Sequence, residues 1–490
     1  MELKVRILNW SAGIPVAMLN EESAERLGIH IRDRIKIKTS SGEISTIVDI
    51  VGKLIKNNEI AISSEIKDIL GLKNNQIVDI DLASSSLSLT FIKKKLNNKS
   101  LNKKEIEEII KDITNNSLSE AEIALFISAM YKFGMSFKET TFLIDAIIHS
   151  GNRLNINRKV IADKHSIGGI AGNRTTPIVV AICASLGLTM PKTSSRAITS
   201  AAGTADVIET IAKIEFSIKE LENIVKKTNA CMVWGGCLGI VPADDKMIQI
   251  EKMLKIDPES QLLASIMSKK LAVGSNYILI DIPYGKSAKV TKEKAIGLKD
   301  KFERLGKHFK RKLQCVLTDG SEPIGNGIGP ALEIIDVIKV LNRDKTRPLD
   351  LEKKSVFLSG KLLEMTNKAQ KGQGEKLALE ALNSGKAMEK FEEIIKAQKG
   401  QVRFVKLGKF KKDISANKKG KIAEISNTKI SSLARTAGCP ADKYSGLYLH
   451  CHVNDKVKKG QKIFTIYTET PTRMREALKH CKRENPVKIG

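Results

Sequence analysis

The stretch Asp163-Lys-His-Ser-Ile-Gly-Gly-Ile-Ala-Gly-Asn-Arg174 follows the short apolar run Val160 to Ala162 and precedes a helical pattern from about Thr175 to Leu186. A glycine-rich turn between a strand and a helix leaves backbone N–H groups free at the helix start, where the helix dipole also favours an anion. Lys164 and Ser166 add a positive charge and a hydroxyl donor beside that turn. The stretch therefore predicts a strand, a loop and a helix of an α/β domain, with an anion bound at the loop.

A second polar stretch, Thr193-Ser-Ser-Arg-Ala-Ile-Thr-Ser-Ala-Ala-Gly-Thr204, is as rich in glycine and hydroxyl side chains as the first. Its hydrogen-bond donors are Ser194, Ser195, Arg196, Thr199, Ser200 and Thr204. Glycine, serine and threonine also collect in any solvated loop, so either stretch alone leaves that interpretation open. Two such loops separated by one helix favour a shared oxyanion ligand, and we predict that both close on one phosphate.

The amino-terminal region, residues 1–86, reads as short strands, for example Arg34 to Lys38 and Ile77 to Leu82. It also contains a weak internal repeat that begins with Leu27-Gly28 and again with Leu70-Gly71. Two similar halves of strands predict a duplicated small β-barrel.

The rest of the chain changes character three times. The charged stretch Lys93-Lys-Lys-Leu-Asn-Asn-Lys-Ser100 has no apolar periodicity and predicts a connector at a domain boundary. Helical spacing follows to about residue 150, and residues 155–400 then alternate β-type runs with helical stretches, which indicates an α/β domain with mostly parallel strands. Short strands return in residues 402–490, for which we expect a small α+β lobe.

Size and composition indicate a multidomain protein, because 490 residues suggest about three or four domains. No apolar run reaches the ~18 to 20 residues that span a bilayer, and the start Met1-Glu-Leu-Lys-Val-Arg lacks the apolar stretch of a signal peptide. The seven cysteines are scattered without a Cys-x-x-Cys pair, so we expect reduced thiols. We therefore expect a cytoplasmic protein without membrane association.

The formal charge of +27 is also typical of nucleic-acid-binding proteins. The excess is mostly lysine spread along the chain, and only 4% of the residues are aromatic and able to stack on bases. We therefore do not expect nucleic acid as a partner, although the positive field favours phosphate and nucleotide anions.

Six stretches make a family resemblance visible. They are the two loops above together with Val233-Trp-Gly-Gly236, Pro242-Ala-Asp-Asp245, Ala264-Ser-Ile-Met-Ser-Lys-Lys270 and Gly325-Asn-Gly-Ile-Gly-Pro-Ala-Leu-Glu333. In this order they resemble the thymidine phosphorylase and AMP phosphorylase family over most of the chain. The stretch Gly172 to Val180 looks closest to the bacterial type 2 thymidine phosphorylases, with archaeal AMP phosphorylases as near relatives.

The resemblance implies a domain layout and an activity. It places the amino-terminal barrel in residues 1–86, a helical subdomain in 100–152 with 245–272, the phosphate-binding α/β domain in 153–244 with 273–400, and the lobe in 402–490. It implies a thymidine phosphorylase type of reaction, in which thymidine and phosphate give thymine and 2-deoxyribose 1-phosphate. The alternative is an AMP phosphorylase, which releases the free base from a nucleoside 5′-monophosphate and forms ribose 1,5-bisphosphate.

The same resemblance implies site residues. The phosphate-binding residues are Lys164, Ser166, Ser194 and Thr204. The residues that bind the nucleoside or nucleotide are Gly169, Ser195, Arg196, Ala197, Ile198, Thr199, Ser200, Ser265, Lys269 and Lys289. The expected catalytic residues are His165 and Asp257. We expect no metal and no cofactor, and inorganic phosphate takes part as a substrate. We also expect a homodimer or a larger homo-oligomer.

Several of these assignments have a structural alternative. His165 sits among the phosphate ligands and is able to donate a proton or a hydrogen bond to the base, or it is simply satisfied within its loop. Asp257 stands before Pro258, as a helix cap does, whereas the resemblance makes it the proton donor. Lys289 matches a nucleotide-contacting lysine or is a surface residue. Arg196 suits a 5′-phosphate or a structural ion pair.

Substrate choice depends on one departure from the shorter pyrimidine phosphorylases. Met247 and Ile250 align with a tyrosine and an arginine that hold the pyrimidine in those enzymes, so that clamp is absent. This loss makes purine or broader specificity plausible. A phosphoribosyltransferase of related fold is a further alternative, but it needs a metal and the chain shows no suitable acidic cluster. The histidines near Leu449-His-Cys-His452 lack the spacing of a closed zinc site.

Overall fold

The computed structural model describes residues 1–8, 10–31, 33–40, 42–83, 86–197, 200–402 and 405–490. It divides into two units, Met1–Gly151 with Val241–Ser265, and Asn152–Ile240 with Ile266–Gly490. In the described ranges, no helix combines the length and the apolar character that crossing a membrane requires.

The first unit begins with a closed barrel whose strand order is β1-β5-β2-β4-β3-β6. Its elements are β1 (Glu2–Ile7), β2 (Val16–Asn20), α1 (Glu21–Leu27), β3 (Arg34–Thr39), β4 (Gly42–Val51), β5 (Glu59–Ile62), α2 (Ser64–Leu70) and β6 (Ile77–Leu82). The predicted barrel is confirmed. The repeat appears as two short helices, α1 and α2, which end at Gly28 and Gly71 in the left-handed conformation. The strand pattern did not predict these helices.

Helices complete the first unit. They are α3 (Leu87–Leu96), α4 (Lys103–Thr114), α5 (Glu120–Phe133) and α6 (Phe137–His149), joined by the later segments Pro242–Leu254 and the start of Glu259–Ala272. Helices α4, α5 and α6 each begin with a capping box, in which a Ser or Asn side chain and a Glu three residues later satisfy backbone donors. The predicted helical character of this region is confirmed.

The predicted connector after the barrel is wrong in part. Lys93, Lys94 and Lys95 form the last turn of α3, where positive charge suits the helix dipole. Lys95 is buried, and its Nζ donates to Glu139 Oε1 at 2.9 Å. A paired lysine inside the helical layer looks like a solvated linker in the sequence because its partner is distant along the chain.

The second unit contains the predicted α/β region. The elements between residues 162 and 319 are, in chain order, β7 (Ala162–Ser166), α7 (Thr175–Ser185), β8 (Met190–Ser194), α8 (Thr204–Ile208), α9 (Ile218–Thr228), β9 (Ala230–Trp234), a 3-10 turn (Gly236–Leu238), α10 (Pro242–Leu254), α11 (Glu259–Ala272), β10 (Tyr277–Tyr284), α12 (Lys292–His308) and β11 (Lys312–Asp319). Of these, α10 and the start of α11 belong to the first unit. Strands β11-β10-β7 form one parallel sheet and β8-β9 another. A parallel bridge between Ile161 and Thr189 joins their edges. The predicted parallel pairing is confirmed.

The chain then forms a helical layer and the carboxy-terminal lobe. The elements are β12 (Gly327–Ile328), α13 (Pro330–Leu341), α14 (Leu349–Met365), α15 (Gly374–Asn383), α16 (Lys386–Ala397), β13 (Phe410–Ser415), β14 (Gly420–Ile425), α17 (Asn427–Ala437), β15 (Gly446–Leu449), β16 (Lys456–Val457), β17 (Lys462–Thr468), α18 (Pro471–Arg483) and β18 (Val487–Ile489). Helix α7 is buried throughout against α14 and α16, which explains its continuous apolar sequence. The short strand β12 pairs with β15 of the lobe, so the lobe is built onto the loop that follows β11.

Candidate active site

Lys164 lies on β7 with its side chain 1% exposed. Its Nζ donates to Thr175 Oγ1 at 2.6 Å and reaches Thr176 Oγ1 at 3.4 Å, both in the first turn of α7. Burial lowers the pKa of this ammonium to about 7, and the Asp281 carboxylate works in the opposite direction. The predicted phosphate lysine therefore points at the start of a helix, where an anion is favoured.

Asn173 connects Lys164 to the second predicted phosphate ligand of the same loop. Thr175 Oγ1 donates to Asn173 Oδ1 at 3.2 Å, and Asn173 Nδ2 donates to Ser166 Oγ at 3.3 Å. A continuous chain of hydrogen bonds beside the glycine-rich loop thus links Lys164, Thr175, Asn173 and Ser166.

Arg174 joins the two polar loops. Its Nη1 donates to Thr204 Oγ1 at 3.0 Å and its Nη2 to the carbonyl of Ala202 at 2.9 Å. Its Nε donates to Glu333 Oε2 at 2.5 Å, and both side chains are buried. Because Arg174 ends the first loop and Thr204 ends the second, the structure brings the two predicted loops together.

The second loop is held by a carboxylate that we did not predict. Asp206 Oδ2 accepts from the backbone N–H groups of Ala197 and Gly203, both at 2.7 Å. Gly203 packs so closely that a Cβ atom would lie 2.5 Å from the carbonyl oxygen of Ser195. The loop therefore folds back on itself.

The other predicted residues of this loop have separate environments. Ser194 ends β8, and its Oγ donates to the carbonyl of Val233 at 3.2 Å. Ser195 is exposed, and Ser200 Oγ donates to the carbonyl of Ala202 at 2.9 Å. Ile198 and Thr199 lie outside the described residues.

Arg196 is engaged by carboxylates. Its guanidinium bonds to both oxygens of Glu209 at 2.8 and 2.9 Å and to Glu215 at 3.1 Å, and it lies 4.9 Å from the centre of the Trp234 ring. Hydrogen bonding to Arg196 lowers the pKa of Glu209 to about 2. These contacts favour the structural alternative, since a 5′-phosphate would have to compete with carboxylates.

His165 is half-buried beside four lysines. Burial, followed by the charges of Lys270, Lys192, Lys164 and Lys269, lowers its pKa well below the usual value. The imidazole is consequently neutral at neutral pH, so it donates a hydrogen bond more readily than a proton.

Asp163 balances two of these lysines. Its Oδ1 accepts from Lys192 Nζ at 3.1 Å and its Oδ2 from Lys270 Nζ at 2.9 Å, and all three side chains are buried. Burial lowers the pKa of Lys270, and the Asp163 carboxylate works in the opposite direction. Lys192 also donates to the carbonyl of Lys164 at 3.0 Å, which fixes the strand that carries Lys164.

Gly169 and Lys289 lie against each other. Gly169 has φ +89°, and a Cβ atom there would lie 2.6 Å from the backbone nitrogen of Lys289. The Lys289 side chain is exposed. The structure therefore brings the predicted nucleotide-contacting lysine to the edge of the glycine-rich loop.

Asp257 and Ser265 belong to the first unit. Asp257 is exposed and stands just before the first turn of α11, in which Leu262 N donates to the carbonyl of Pro258 at 2.9 Å. Ser265 Oγ donates to the buried Asp244 at 2.9 Å. Lys269, four residues along the same helix from Ser265, is half-buried in the second unit. The roles of these residues stay predictions.

Met247 and Ile250 are both buried on α10. Their burial agrees with the absence of a polar clamp at these positions.

Several residues around the site were not predicted, although some had a signal. Asn173, Arg174 and Thr175 sit in or beside the first quoted loop, and Glu333 ends the quoted stretch that starts at Gly325. Lys192 had none, because it lies just before the second quoted stretch and its partners Asp163 and Lys164 are distant along the chain. Across the described ranges, we find no group of three or more His, Cys, Asp or Glu residues placed to hold a metal ion.

Family comparisons cover most of the chain. Residues 89–151 match the helical bundle domain of a glycosyl transferase family, 158–388 match the a/b domain of that family, and 421–488 match the pyrimidine nucleoside phosphorylase C-terminal domain. Anthranilate phosphoribosyltransferase from Thermus thermophilus superposes with a TM-score of 0.52 at 16% identity, covering 63% of this chain and 99% of that one. That likeness concerns the fold alone.

Relatives that align with this chain over nearly their whole length identify the family more closely. The chain is 42% identical to the AMP phosphorylase of Pyrococcus furiosus, with 100% of this chain and 98% of that protein aligned. It is 40% identical to the AMP phosphorylase of Methanocaldococcus jannaschii, with 99% and 97% aligned. This chain therefore belongs to the thymidine phosphorylase and AMP phosphorylase family, and it is an enzyme of the pentosyltransferase and phosphorylase class.

Proposed function

We propose that this enzyme is a nucleoside 5′-monophosphate phosphorylase, which converts AMP and phosphate to adenine and ribose 1,5-bisphosphate. The observation that carries phosphorolysis is that Arg174 joins the two donor loops, next to the helix start at which Lys164 points. The choice of a nucleotide over thymidine rests on the full-length relatives, which carry the name AMP phosphorylase. These relatives support the AMP phosphorylase alternative of the sequence analysis better than they support the thymidine phosphorylase reaction.

Lys164, Ser166, Ser194 and Thr204 hold the phosphate in this proposal. A phosphate oxygen forms a bond to C1′ of the ribose while the C1′–N bond to the base breaks, and the electron pair of that bond leaves with the base. Donors fixed in advance reduce the entropic cost of placing the nucleophile. Neutral His165 donates a hydrogen bond near the reacting centre, and Asp257, after taking up a proton from solvent, passes that proton to the departing base.

Lys289 is the better candidate for the 5′-phosphate. It lies against Gly169 of the glycine-rich loop, which binds the reacting phosphate in this proposal. A cation beside a loop that binds one phosphate suits a substrate that carries a second one.

Base release from a panel of substrates tests the proposal. We would incubate the protein with phosphate and, separately, AMP, CMP, UMP, uridine and thymidine, and detect free base by chromatography. We expect release from AMP, its loss in Lys164→Ala, and an increased KM for AMP in Lys289→Ala with little change in Arg196→Met. Release from thymidine alone would support the thymidine reaction instead.

Two further properties belong to the same proposal. We expect a homodimer or larger homo-oligomer in the cytoplasm. Light scattering of the purified protein would measure its molar mass in solution and so test the oligomeric state. We also expect activity without a metal cofactor, so phosphorolysis should survive EDTA. Strict metal dependence would favour the phosphoribosyltransferase alternative.

A further inference from the structure

Asn427 is the first residue of α17 in the carboxy-terminal lobe, and its side chain is fully buried. Its Oδ1 accepts from the backbone N–H of Ala171 at 3.0 Å, and its Nδ2 donates to the carbonyl of Gly320 at 3.1 Å. Since an N–H can only donate and a carbonyl can only accept, these two partners fix the orientation of the amide.

Ser287 is the third partner of Asn427. Its Oγ accepts from Asn427 Nδ2 at 3.1 Å and from the backbone nitrogen of Asn427 at 3.2 Å. Ser287 lies two residues before Lys289, which packs against Gly169. One side chain from the lobe therefore contacts both the glycine-rich loop and the segment that carries Lys289.

Both backbone polar groups of Ala171 are hydrogen-bonded. Its N–H donates to Asn427, and its carbonyl accepts from Ile324 N at 3.0 Å. The neighbouring Gly172 leaves no space, because a Cβ atom there would lie 2.3 Å from the carbonyl oxygen of Ile324. The middle of the glycine-rich loop is therefore fastened from outside the α/β sheet, at Asn427 and at the loop after β11.

We infer that Asn427 is a positioning residue for phosphorolysis, by which the carboxy-terminal lobe sets the spacing between the phosphate loop and Lys289. It touches neither predicted phosphate ligand of that loop, and it acts through backbone groups that Ala171 and Gly320 present. Displacement of a loop by about 1 Å is enough to cost about 100-fold in rate. The inference rests on the phosphate site proposed above.

The test compares four variants with the wild-type enzyme. Asn427→Ala removes all side-chain contacts, Asn427→Asp keeps the acceptor for Ala171 N–H but loses the donors, and Ser287→Ala removes one partner. Ser426→Ala is the matched control, because Ser426 caps the same helix through Lys429 N and contacts neither loop. The measurements are KM and kcat for AMP and phosphate, and hydrogen exchange by mass spectrometry.

We expect Asn427→Ala to lower kcat/KM about 10- to 100-fold, mainly through an increased KM for phosphate. Exchange should rise in residues 167–174 and 285–290 but not in the carboxy-terminal lobe away from residue 427. Asn427→Asp should raise the KM for phosphate at least as much as Asn427→Ala, because a buried carboxylate oxygen would then face the Gly320 carbonyl. Ser426→Ala should match the wild type.

Unchanged kinetics in Asn427→Ala would overturn the inference, and so would an equal loss in Ser426→Ala with faster exchange throughout the lobe. A wild-type enzyme that releases no base would refute the proposed function instead. Exchange in residues 167–174 would still judge the positioning role in that case, because it needs no substrate.

Discussion

At the scale of a single residue, Lys164 is the predicted phosphate ligand whose surroundings the structure describes most fully. A buried ammonium without full charge compensation is costly, and the lowered pKa expresses that cost. Its neighbours Thr175 and Thr176 offer hydroxyl groups rather than a carboxylate in direct contact. The Asp281 carboxylate compensates this charge in part, and a phosphate anion bound beside Lys164 would compensate it further.

This arrangement predicts a pH dependence for phosphate binding. With a pKa of about 7, Lys164 is charged below that pH and increasingly neutral above it, while a bound anion favours the charged form. Binding above about pH 7 therefore requires uptake of a proton, and the Kd for phosphate should rise toward about tenfold per pH unit. Calorimetric titration from about pH 6 to about pH 9 measures this rise.

Lys164→Met provides the control for that titration. It should bind phosphate weakly, and its Kd should rise less above neutral pH than the wild-type Kd does, because one titrating group is gone. A wild-type Kd that stays constant across the range would contradict the assignment.

The two arginines show why the type of residue does not determine its role. Arg174 and Arg196 both lie in the quoted loops, and the resemblance singled out only Arg196. In the structure Arg196 is bound by Glu209 and Glu215, whereas Arg174 joins the loops through Thr204 and Ala202. Guanidinium groups suit both tasks, so the carboxylates within reach decide between them.

The glycine-rich loop is the element on which the site depends. Gly168 and Gly169 have nearly equal φ values of +88° and +89°, which side chains other than glycine rarely adopt. They differ in their surroundings, because a Cβ atom on Gly168 would meet nothing within 4 Å, while one on Gly169 would meet the Lys289 backbone at 2.6 Å.

Substitutions of Gly168 and Gly169 distinguish the effect of backbone strain from the effect of close approach to Lys289. We expect Gly168→Ala to lose about 1–2 kcal/mol of stability in denaturant unfolding through backbone strain alone, and Gly169→Ala to lose more, because its Cβ atom would also meet the Lys289 backbone. Gly169→Ala should in addition lower kcat/KM for AMP about tenfold or more, because it displaces the segment of Lys289. Equal kinetic losses in the two variants would show that the contact with Lys289 has no effect on catalysis.

At the scale of the whole molecule, the amino-terminal barrel has a core of its own. Leu, Ile, Val and Ala side chains from its strands and helices form a separate buried cluster. The strand β6 pairs with both β1 and β3 and so closes the barrel. A closed barrel leaves no unpaired strand edge.

The fragment of residues 1–86 should therefore fold alone. We expect β-type circular dichroism and one cooperative unfolding transition of a few kcal/mol. A fragment of residues 1–70 lacks β6 and leaves two unpaired edges, so it should be unfolded or aggregate. An unfolded 1–86 fragment, or equal folding of both fragments, would contradict this prediction.

The succession of regions was available from the sequence. Apolar periodicity and the Leu-Gly repeat predicted the barrel, the helices of residues 102–150 and the parallel α/β region, because these patterns are local. The connector at Lys93 was wrong for the opposite reason, since the partner of Lys95 is Glu139 on another helix. The domain boundaries themselves stay predictions.

The sequence by itself determined the two donor loops, the α/β architecture and the family, because each rests on residues adjacent along the chain. Only the tertiary structure decided which side chains meet: Arg174 with Thr204, Asp163 with Lys192 and Lys270, and Asn427 with Ala171. These contacts join residues far apart in sequence, and the charge state of Lys164 depends on burial that no local pattern encodes. Chemistry that depends on desolvation and on partners from other elements therefore appears only when the chain is folded.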